Sequence, residues 1–295
     1  MRVIPIVFST DDNYVLPLAV AIKSLLDKKS KKDEYKIYVF HDELSEESKR
    51  KIKSVCGKTF LEFVCVASFL EGTNFYAVGH VSVATYYRFF IPKILGEYDK
   101  VLYLDCDILI NGDVGKLCDV DMGDNILAGN RMLGDDAQVR NYFNAGILLF
   151  NVKEYLKNGV CEKCVQYVAD NKDLEFPDEQ TLNAVCFGKV APLPFKYNFQ
   201  TWYCTTKELL EKTRIKRIKD ITIIHYSSKP WRDDATALGH LWWKKVDTLN
   251  EQLKEEAYAK YGEYSKNKRC FFSEYYFASP LGKLVYKIRK KLRKD

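Results

Sequence analysis

The first hundred residues alternate between short apolar blocks and stretches of helical period. "RVIPIVFST" (2–10), "YKIYVFHD" (35–42) and "TFLEFVCV" (59–66) are continuous apolar runs of strand length. Between them, "NYVLPLAVAIKSLLDK" (13–28) reads as a helix, with Pro17 tolerated if it falls in the first turn. "SEESKRKIKSVCG" (45–57) carries a Ser cap, early acids, later bases and a closing Gly, the helix signals in their proper order. "SVATYYRFFIPKIL" (82–95) predicts another helix and "KVLYLDCDILI" (100–110) another strand. Strand–helix alternation of this kind predicts a parallel sheet with helices on both faces. The second half is less regular. "NAGILLFNV" (144–152) and "DITIIHYSS" (220–228) read as strands, and 153–172, 178–187 and 241–261 as helices. With no Gly/Ser linker and no repeat, the simplest organisation is one domain over residues 1–262 and a tail over 263–295.

The run 100–110 is interrupted by two acids. Strand alternation puts Asp105 and Asp107 on one face and Cys106 on the other. Each desolvated carboxylate costs several kcal/mol unless a positive group meets it. No Lys or Arg lies between Val101 and Gly115, so that group comes from elsewhere in the fold or from outside. In open α/β sheets, ligands bind beyond the carboxyl ends of the strands. Asp11, Asp12 and Asn13 follow the first strand, Asp105 and Asp107 end the fourth, Asn144 opens a later one and His225 closes the last. Paired carboxylates suit Mg²⁺ or Mn²⁺, and an imidazole favours Mn²⁺. On spacing alone, the acids are equally solvated turn residues, His225 a hydrogen-bonded core histidine, and Asn13 a helix N-cap.

Charge narrows the function classes. The chain of 295 residues has net charge +6, and residues 281–295 hold seven Lys/Arg and one Asp. The body is therefore neutral, which argues against a nucleic-acid-binding face. Within the tail, Leu281, Leu284, Val285, Ile288 and Leu292 form one helical stripe with the bases off it, after the aromatic segment "CFFSEYYFASP" (270–280). A basic amphipathic helix flanked by aromatics suits an anionic membrane surface. The nine Cys are scattered, the start lacks a signal-peptide core, and no apolar run approaches a membrane span. The expectation is a reduced cytoplasmic protein, peripheral on the inner face of the cell membrane. Cys161 and Cys164 form a C-x-x-C without a second pair to complete a zinc site.

Six segments, "VFSTDDNYVLPLAVAIKSL", "HVSVATYYRFFIPKIL", "KVLYLDCDILINGDV", "YFNAGILLFNV", "DEQTLN" and "HYSSKPW", stand in the order seen in glycosyltransferase family 8. That family includes bacterial lipopolysaccharide galactosyl- and glucosyltransferases and glycogenin. The resemblance runs from about residue 3 to residue 232. It implies the GT-A fold, an α/β nucleotide-sugar-binding mixed sheet flanked by helices, here with a helical C-terminal extension. It also implies transfer of glucose or galactose from a UDP-sugar, with retention, to a glycan or lipid-linked saccharide. By the same resemblance, Asp105, Asp107 and His225 hold Mn²⁺ (Mg²⁺ is the alternative) with the diphosphate. Asp11 and Asn13 meet uracil and ribose, His80 and Arg88 sit at the donor, and Asn144, Ala145, Asp178 and Glu179 surround the transferred sugar. Lys229 reaches the diphosphate. Two departures stand out: Glu179 occupies a position where the family carries glutamine, and "HYSSKPW" is shorter between His and Lys than in the lipopolysaccharide enzymes. A self-glycosylating primer and a binding-only relative are the alternatives. A sugar nucleotidyltransferase would need a Gly-rich, Arg-containing loop where "STDDNY" stands.

Overall fold

The computed structural model describes residues 1–78, 82–133 and 141–266. A seven-stranded sheet runs in the order β3-β2-β1-β4-β7-β6-β8. Its strands are β1 (Arg2–Ser9), β2 (Asp33–His41), β3 (Phe60–Cys65), β4 (Lys100–Leu104), β6 (Leu127–Arg131), β7 (Phe143–Asn151) and β8 (Val190–Pro192). A second sheet of three short strands, in the order β5-β10-β9, joins β5 (Ile108–Ile110), β9 (Phe199–Gln200) and β10 (Ile223–His225).

The first half follows the apolar pattern. β1, β2, β3 and β4 are mutually parallel, and the central β1 is apolar and buried from Ile4 to Phe8 because helices cover both faces. Helix α1 (Val15–Asp27) has Pro17 in its first turn, where the missing N–H costs no intrahelical bond. Helix α2 (Glu46–Cys56) is capped by the Ser45 hydroxyl on the Ser48 N–H and stops at Gly57, whose φ is +58°.

The wholly parallel sheet is corrected beyond β4. β7 lies antiparallel to both β4 and β6. The roughly eleven residues joining β6 to β7 are fewer than a parallel crossover requires. The predicted strand 100–110 is two strands in different sheets, and Asp105, Cys106 and Asp107 are the crossing between them. The predicted helix 82–95 is a 3₁₀ helix over Val83–Phe90 followed by a short α-turn, Ile91–Ile94. Its Tyr86, Tyr87, Phe89 and Phe90 are all buried, and three residues per turn align Arg88 with Thr85. The segment 153–172 breaks at Gly159 (φ +60°) into Val152–Lys157 and Val160–Asp170. The segment 241–261 divides into Gly239–Val246 and Glu251–Tyr261, the latter capped by Asn250. Cys161 and Cys164 are buried free thiols in Val160–Asp170.

The small sheet docks through an aromatic core: Trp231 and Trp242 pack with Leu109, Ile224 and α1's Leu16, Ala19 and Val20. That docking brings the end of β10 against the end of β4. No helix among the described residues is long and apolar enough to cross a membrane. The tail segment 281–295, read above as membrane-seeking, lies outside the described residues.

Candidate active site

β1 has β2 on one side and β4 on the other, so the chain reverses its direction of growth between β1 and β4. A crevice forms beyond the carboxyl ends of strands at such a switch point. Here it is a cleft of about 240 Å³, and nine of the residues singled out from the sequence line it: Asp11, Arg88, Asp105, Asp107, Asn144, Asp178, Glu179, His225 and Lys229.

One wall is the crossing between the sheets. Asp105 is held by its own N–H on the Gly146 carbonyl (2.8 Å), and Asp107 by its carbonyl, which accepts from the Tyr226 N–H (3.0 Å). Between them, Cys106 turns away and meets the Ser9 carbonyl at 3.2 Å. His225 Nε2 lies 3.1 Å from Asp107 Oδ1 and 3.9 Å from Asp105 Oδ2. One ligand atom from each of the three residues falls within 4.8 Å of the others.

Countercharge for the acids does come from elsewhere in the fold. Arg88, 5% exposed, binds Asp105 Oδ1 at 3.0 Å and Asp178 Oδ2 at 3.0 Å, and its guanidinium lies 4.4 Å from the centre of the Tyr103 ring. It also donates to the carbonyls of Thr85 (2.9 Å) and Ala145 (2.6 Å). Burial pulls its pKa down, but Asp105 and Asp178 more than offset that, so it stays charged. Lys229 Nζ binds Asp107 Oδ2 and the Tyr226 carbonyl, the latter at 2.8 Å. The two acids consequently part company. Burial pushes Asp105 up, and Arg88 opposes this incompletely. Burial also pushes Asp107 up, but the Lys229 ammonium opposes this, and the carboxyl stays well below the usual range.

The opposite wall is the first turn of the helix Pro177–Val185, which carries Asp178 and Glu179. Glu179 Oε2 accepts from Asn144 Nδ2 at 2.8 Å and from the Ala145 N–H at 2.9 Å. Burial raises its pKa to about 7; the Ala145 and Tyr142 hydrogen bonds and Arg88 lower it, and neighbouring Asp178 raises it.

Two of the expected site residues stand apart from the cleft lining. Ala145 is buried behind it and acts only through its backbone, with the N–H on Glu179 and the carbonyl on Arg88. Asn13 is exposed; its N–H donates to Asp11 Oδ1 at 2.9 Å, so Asp11, not Asn13, caps the 3₁₀ turn Asp12–Tyr14 that leads into α1. His80 lies outside the described residues. Sequence reasoning missed Tyr14, Thr85, Tyr103, Gly146 and Asn198. Tyr103 hides in an apolar strand, and Asn198 in a polar-looking turn. Gly146, in the middle of an apolar strand, was the one legible signal, since such a glycine marks a close approach.

The donor set fits a divalent cation. Two carboxylates and an imidazole converge, Asp107 Oδ1 is buried without a hydrogen-bond donor, and Gly146 leaves the space beside them free. A Cβ on Gly146 would come 2.4 Å from His225 Cε1 and 2.6 Å from Asp105 Oδ2. Gly146→Ala is therefore expected to weaken binding of a divalent cation by at least about tenfold, read by calorimetric titration with Mn²⁺ as the probe, with the far-ultraviolet circular dichroism preserved. Unchanged Mn²⁺ affinity would show that the two ligands do not depend on this contact.

The chain is similar to several known proteins. The chain is 28% identical over 258 residues to general stress protein A of Bacillus subtilis, covering 79% of this chain and 89% of that protein. It is 24% identical over 311 residues to lipopolysaccharide 1,2-glucosyltransferase of Escherichia coli, covering 95% and 89%. Among solved structures, the galactosyltransferase LgtC in complex with donor and acceptor sugar analogs superimposes with a TM-score of 0.70 at 26% identity, over 86% of this chain and all of LgtC. Its fold is the mixed α/β architecture of GT-A glycosyltransferases, the one expected from the motif order. The model of glycosyl transferase family 8 matches residues 5–235, spanning both walls of the cleft and every strand that carries them, and the chain belongs to that family.

Proposed function

We propose that the chain transfers a hexose, glucose or galactose, from a UDP-sugar to a saccharide or lipid-linked saccharide, with retention and formation of an α-glycosidic bond. The observation that carries this reading is the pairing across one cleft of a cation-binding triad, Asp105, Asp107 and His225, with a carboxylate wall, Asp178 and Glu179. A nucleotide diphosphate needs the first and a reacting sugar the second. The names of the relatives, a lipopolysaccharide glucosyltransferase and a galactosyltransferase solved with sugar analogs, support the substrate class.

Asp105, Asp107 and His225 would hold Mn²⁺, or Mg²⁺ with the imidazole as its weaker partner. The ion supplies Lewis-acid neutralisation of the charge that grows on a departing diphosphate. Lys229, tethered to the Tyr226 carbonyl, offers a second positive group at the same edge. Asp11, following β1, lines the nucleotide side of the cleft. Arg88 ties the two walls together by binding Asp105 and Asp178 at once, which fixes the spacing between diphosphate and sugar.

A panel of UDP-sugars with Mn²⁺, followed by UDP release without acceptor, tests the reading. One hexose donor is expected to release UDP, and a chelator to stop it. Silence with every UDP-sugar would overturn the proposal.

Attachment of residues 281–295 to the cytoplasmic membrane surface belongs to the same proposal, because it brings the cleft to lipid-linked acceptors. Deleting them is expected to leave turnover of a soluble acceptor intact. Sedimentation with anionic vesicles should fall, each lost base removing on the order of 1 kcal/mol, and added salt should mimic the deletion. A truncated chain that aggregates would make the tail part of the fold instead.

A further inference from the structure

We infer that Asn198 is a positioning residue: it fixes the proton of His225 on Nδ1 and so keeps the Nε2 lone pair aimed at the cation site. The inference rests on the metal reading above and adds to it a residue outside the ligand set.

Asn198 is fully buried, between the 3₁₀ turn Phe195–Tyr197 and β9. Its amide orientation follows from a chain of bonds that begins at a backbone donor. The Gly146 N–H donates to Asn144 Oδ1 at 3.1 Å, and a backbone N–H has no acceptor alternative. That identifies the carbonyl end of Asn144, and its amino end meets Glu179 Oε2 at 2.8 Å. The same Asn144 Oδ1 also faces Asn198 Nδ2 at 2.8 Å, so this end of Asn198 is its amino group. The other end, Asn198 Oδ1, lies 2.9 Å from His225 Nδ1. A carbonyl oxygen only accepts, so Nδ1 carries the proton. In neutral imidazole, Nε2 is then unprotonated.

The consequence appears on the other side of the ring. The 3.1 Å approach of Nε2 to Asp107 Oδ1 is a hydrogen bond only if Nε2 bears a proton. With the proton held on Nδ1, three lone-pair atoms, from His225, Asp105 and Asp107, face one space. Asp107 Oδ1, buried without a donor, is what that arrangement leaves behind. Free histidine favours the opposite tautomer, with the proton on Nε2, so the site depends on an acceptor at Nδ1. Metal-bound histidines are commonly oriented in this way by a partner on the second nitrogen. Asn198 also joins the two sheets, since Asn144 belongs to β7 and His225 to β10.

The test pairs nitrogen-15 spectra of labelled histidine with Mn²⁺ titration of the full chain. Wild type is expected to show His225 protonated on Nδ1. Asn198→Ala should shift it toward the Nε2–H form and weaken Mn²⁺ binding by about tenfold or more. Asn198→Asp keeps an acceptor for Nδ1, although it replaces the donor toward Asn144 by an oxygen and adds a negative charge, so it should keep the proton on Nδ1 and bind Mn²⁺ more tightly than Asn198→Ala. An Nε2–H signal in wild type overturns the inference, as does Asn198→Ala with wild-type tautomer and affinity. If the alanine variant does not fold, the wild-type spectrum and the aspartate variant decide. Wild type that shows Nδ1–H but binds no Mn²⁺ overturns the metal reading and upholds the tautomer assignment.

Discussion

Asp107→Asn and Asp105→Asn are each expected to reduce sugar transfer below a few per cent of wild type at limiting Mn²⁺, because each removes one anion from the three residues proposed to hold the cation. Their effects on the metal-free protein should differ. Asp107 neutralises Lys229, whose side chain is 17% exposed and keeps the Tyr226 carbonyl as a partner. Asp107 itself is 13% exposed and stays ionised well below the usual range, so removing its charge breaks a largely buried pair from one side, at a cost on the order of a few kcal/mol. Asp105 neutralises Arg88, which keeps Asp178 as a partner. Burial already disfavours the ionised form of Asp105 in spite of Arg88, so its neutral isostere costs the fold less. Thermal melts without metal should therefore place Asp107→Asn below Asp105→Asn. More than a few per cent of activity in both variants would remove the metal role, and the reverse order of melting would contradict the assignment of countercharges.

Glu179→Gln should keep measurable transfer and become more stable than wild type as pH rises, whereas Asp178→Asn should lose most transfer. The carboxyl of Glu179 goes from an ordinary value of 4.5 to about 7 in the fold, mainly through burial. A raised acid holds its proton more tightly when folded, so its ionisation costs stability as pH climbs from about 4.5 through 7. Below that window the variant and wild type should match; above it glutamine avoids a penalty on the order of 3 kcal/mol. Urea unfolding at about pH 5 and about pH 8 reads the difference directly, and an equal gap at both would refute the shift. The other ionisable groups facing Glu179 are Asp178, Tyr142, Tyr203 and Arg88, and of these Arg88 and Asp178 already neutralise each other. Hydrogen bonds from Asn144, Ala145 and Tyr142 converge on Glu179. So constrained, the side chain is suited to steadying positive charge on a sugar rather than to attacking it. Mass spectrometry of enzyme held with donor alone should find no hexose on the Glu179 peptide. A stable adduct there, absent from Glu179→Gln, would establish double displacement.

What could be read from the chain was whatever repeats with a period. Strands β1 to β4 and helices α1 and α2 announce themselves because burial on one or both faces forces apolar spacing. The polar residues after those strands, and at the end of the apolar run that became β10, followed from strand ends alone, which is why Asp11, Asp105, Asp107 and His225 were reachable before the fold was known. The 3₁₀ geometry of Val83–Phe90 was not, because "YYRFF" carries bulky residues in every direction and fits no amphipathic template. β8 and β9, of three and two residues, are too short to show a period. β6, "LAGNR", has only one large apolar residue, Leu127, to offer. The pairing of Arg88 with both Asp105 and Asp178 joins residues far apart in the chain. Nothing local encodes it, nor the route from Asn198 to Glu179.

The crossing at Asp105–Asp107 sets a rule for how this chain can change length. Leu104 ends a strand of one sheet and Ile108 begins a strand of the other, and both intervening acids are hydrogen-bonded through their backbones, Asp105 to Gly146 and Asp107 to Tyr226. An insertion of one residue has no slack to occupy. It would either break one of those bonds or rotate Cys106 into a ligand position. The stretch from His225 to Lys229 is different. Its end is a long side chain that meets Asp107 even though the segment is short, so a few ångströms of backbone can be gained or lost without losing the contact. Insertions and deletions that leave the chain working should accumulate after His225 and never between Leu104 and Ile108.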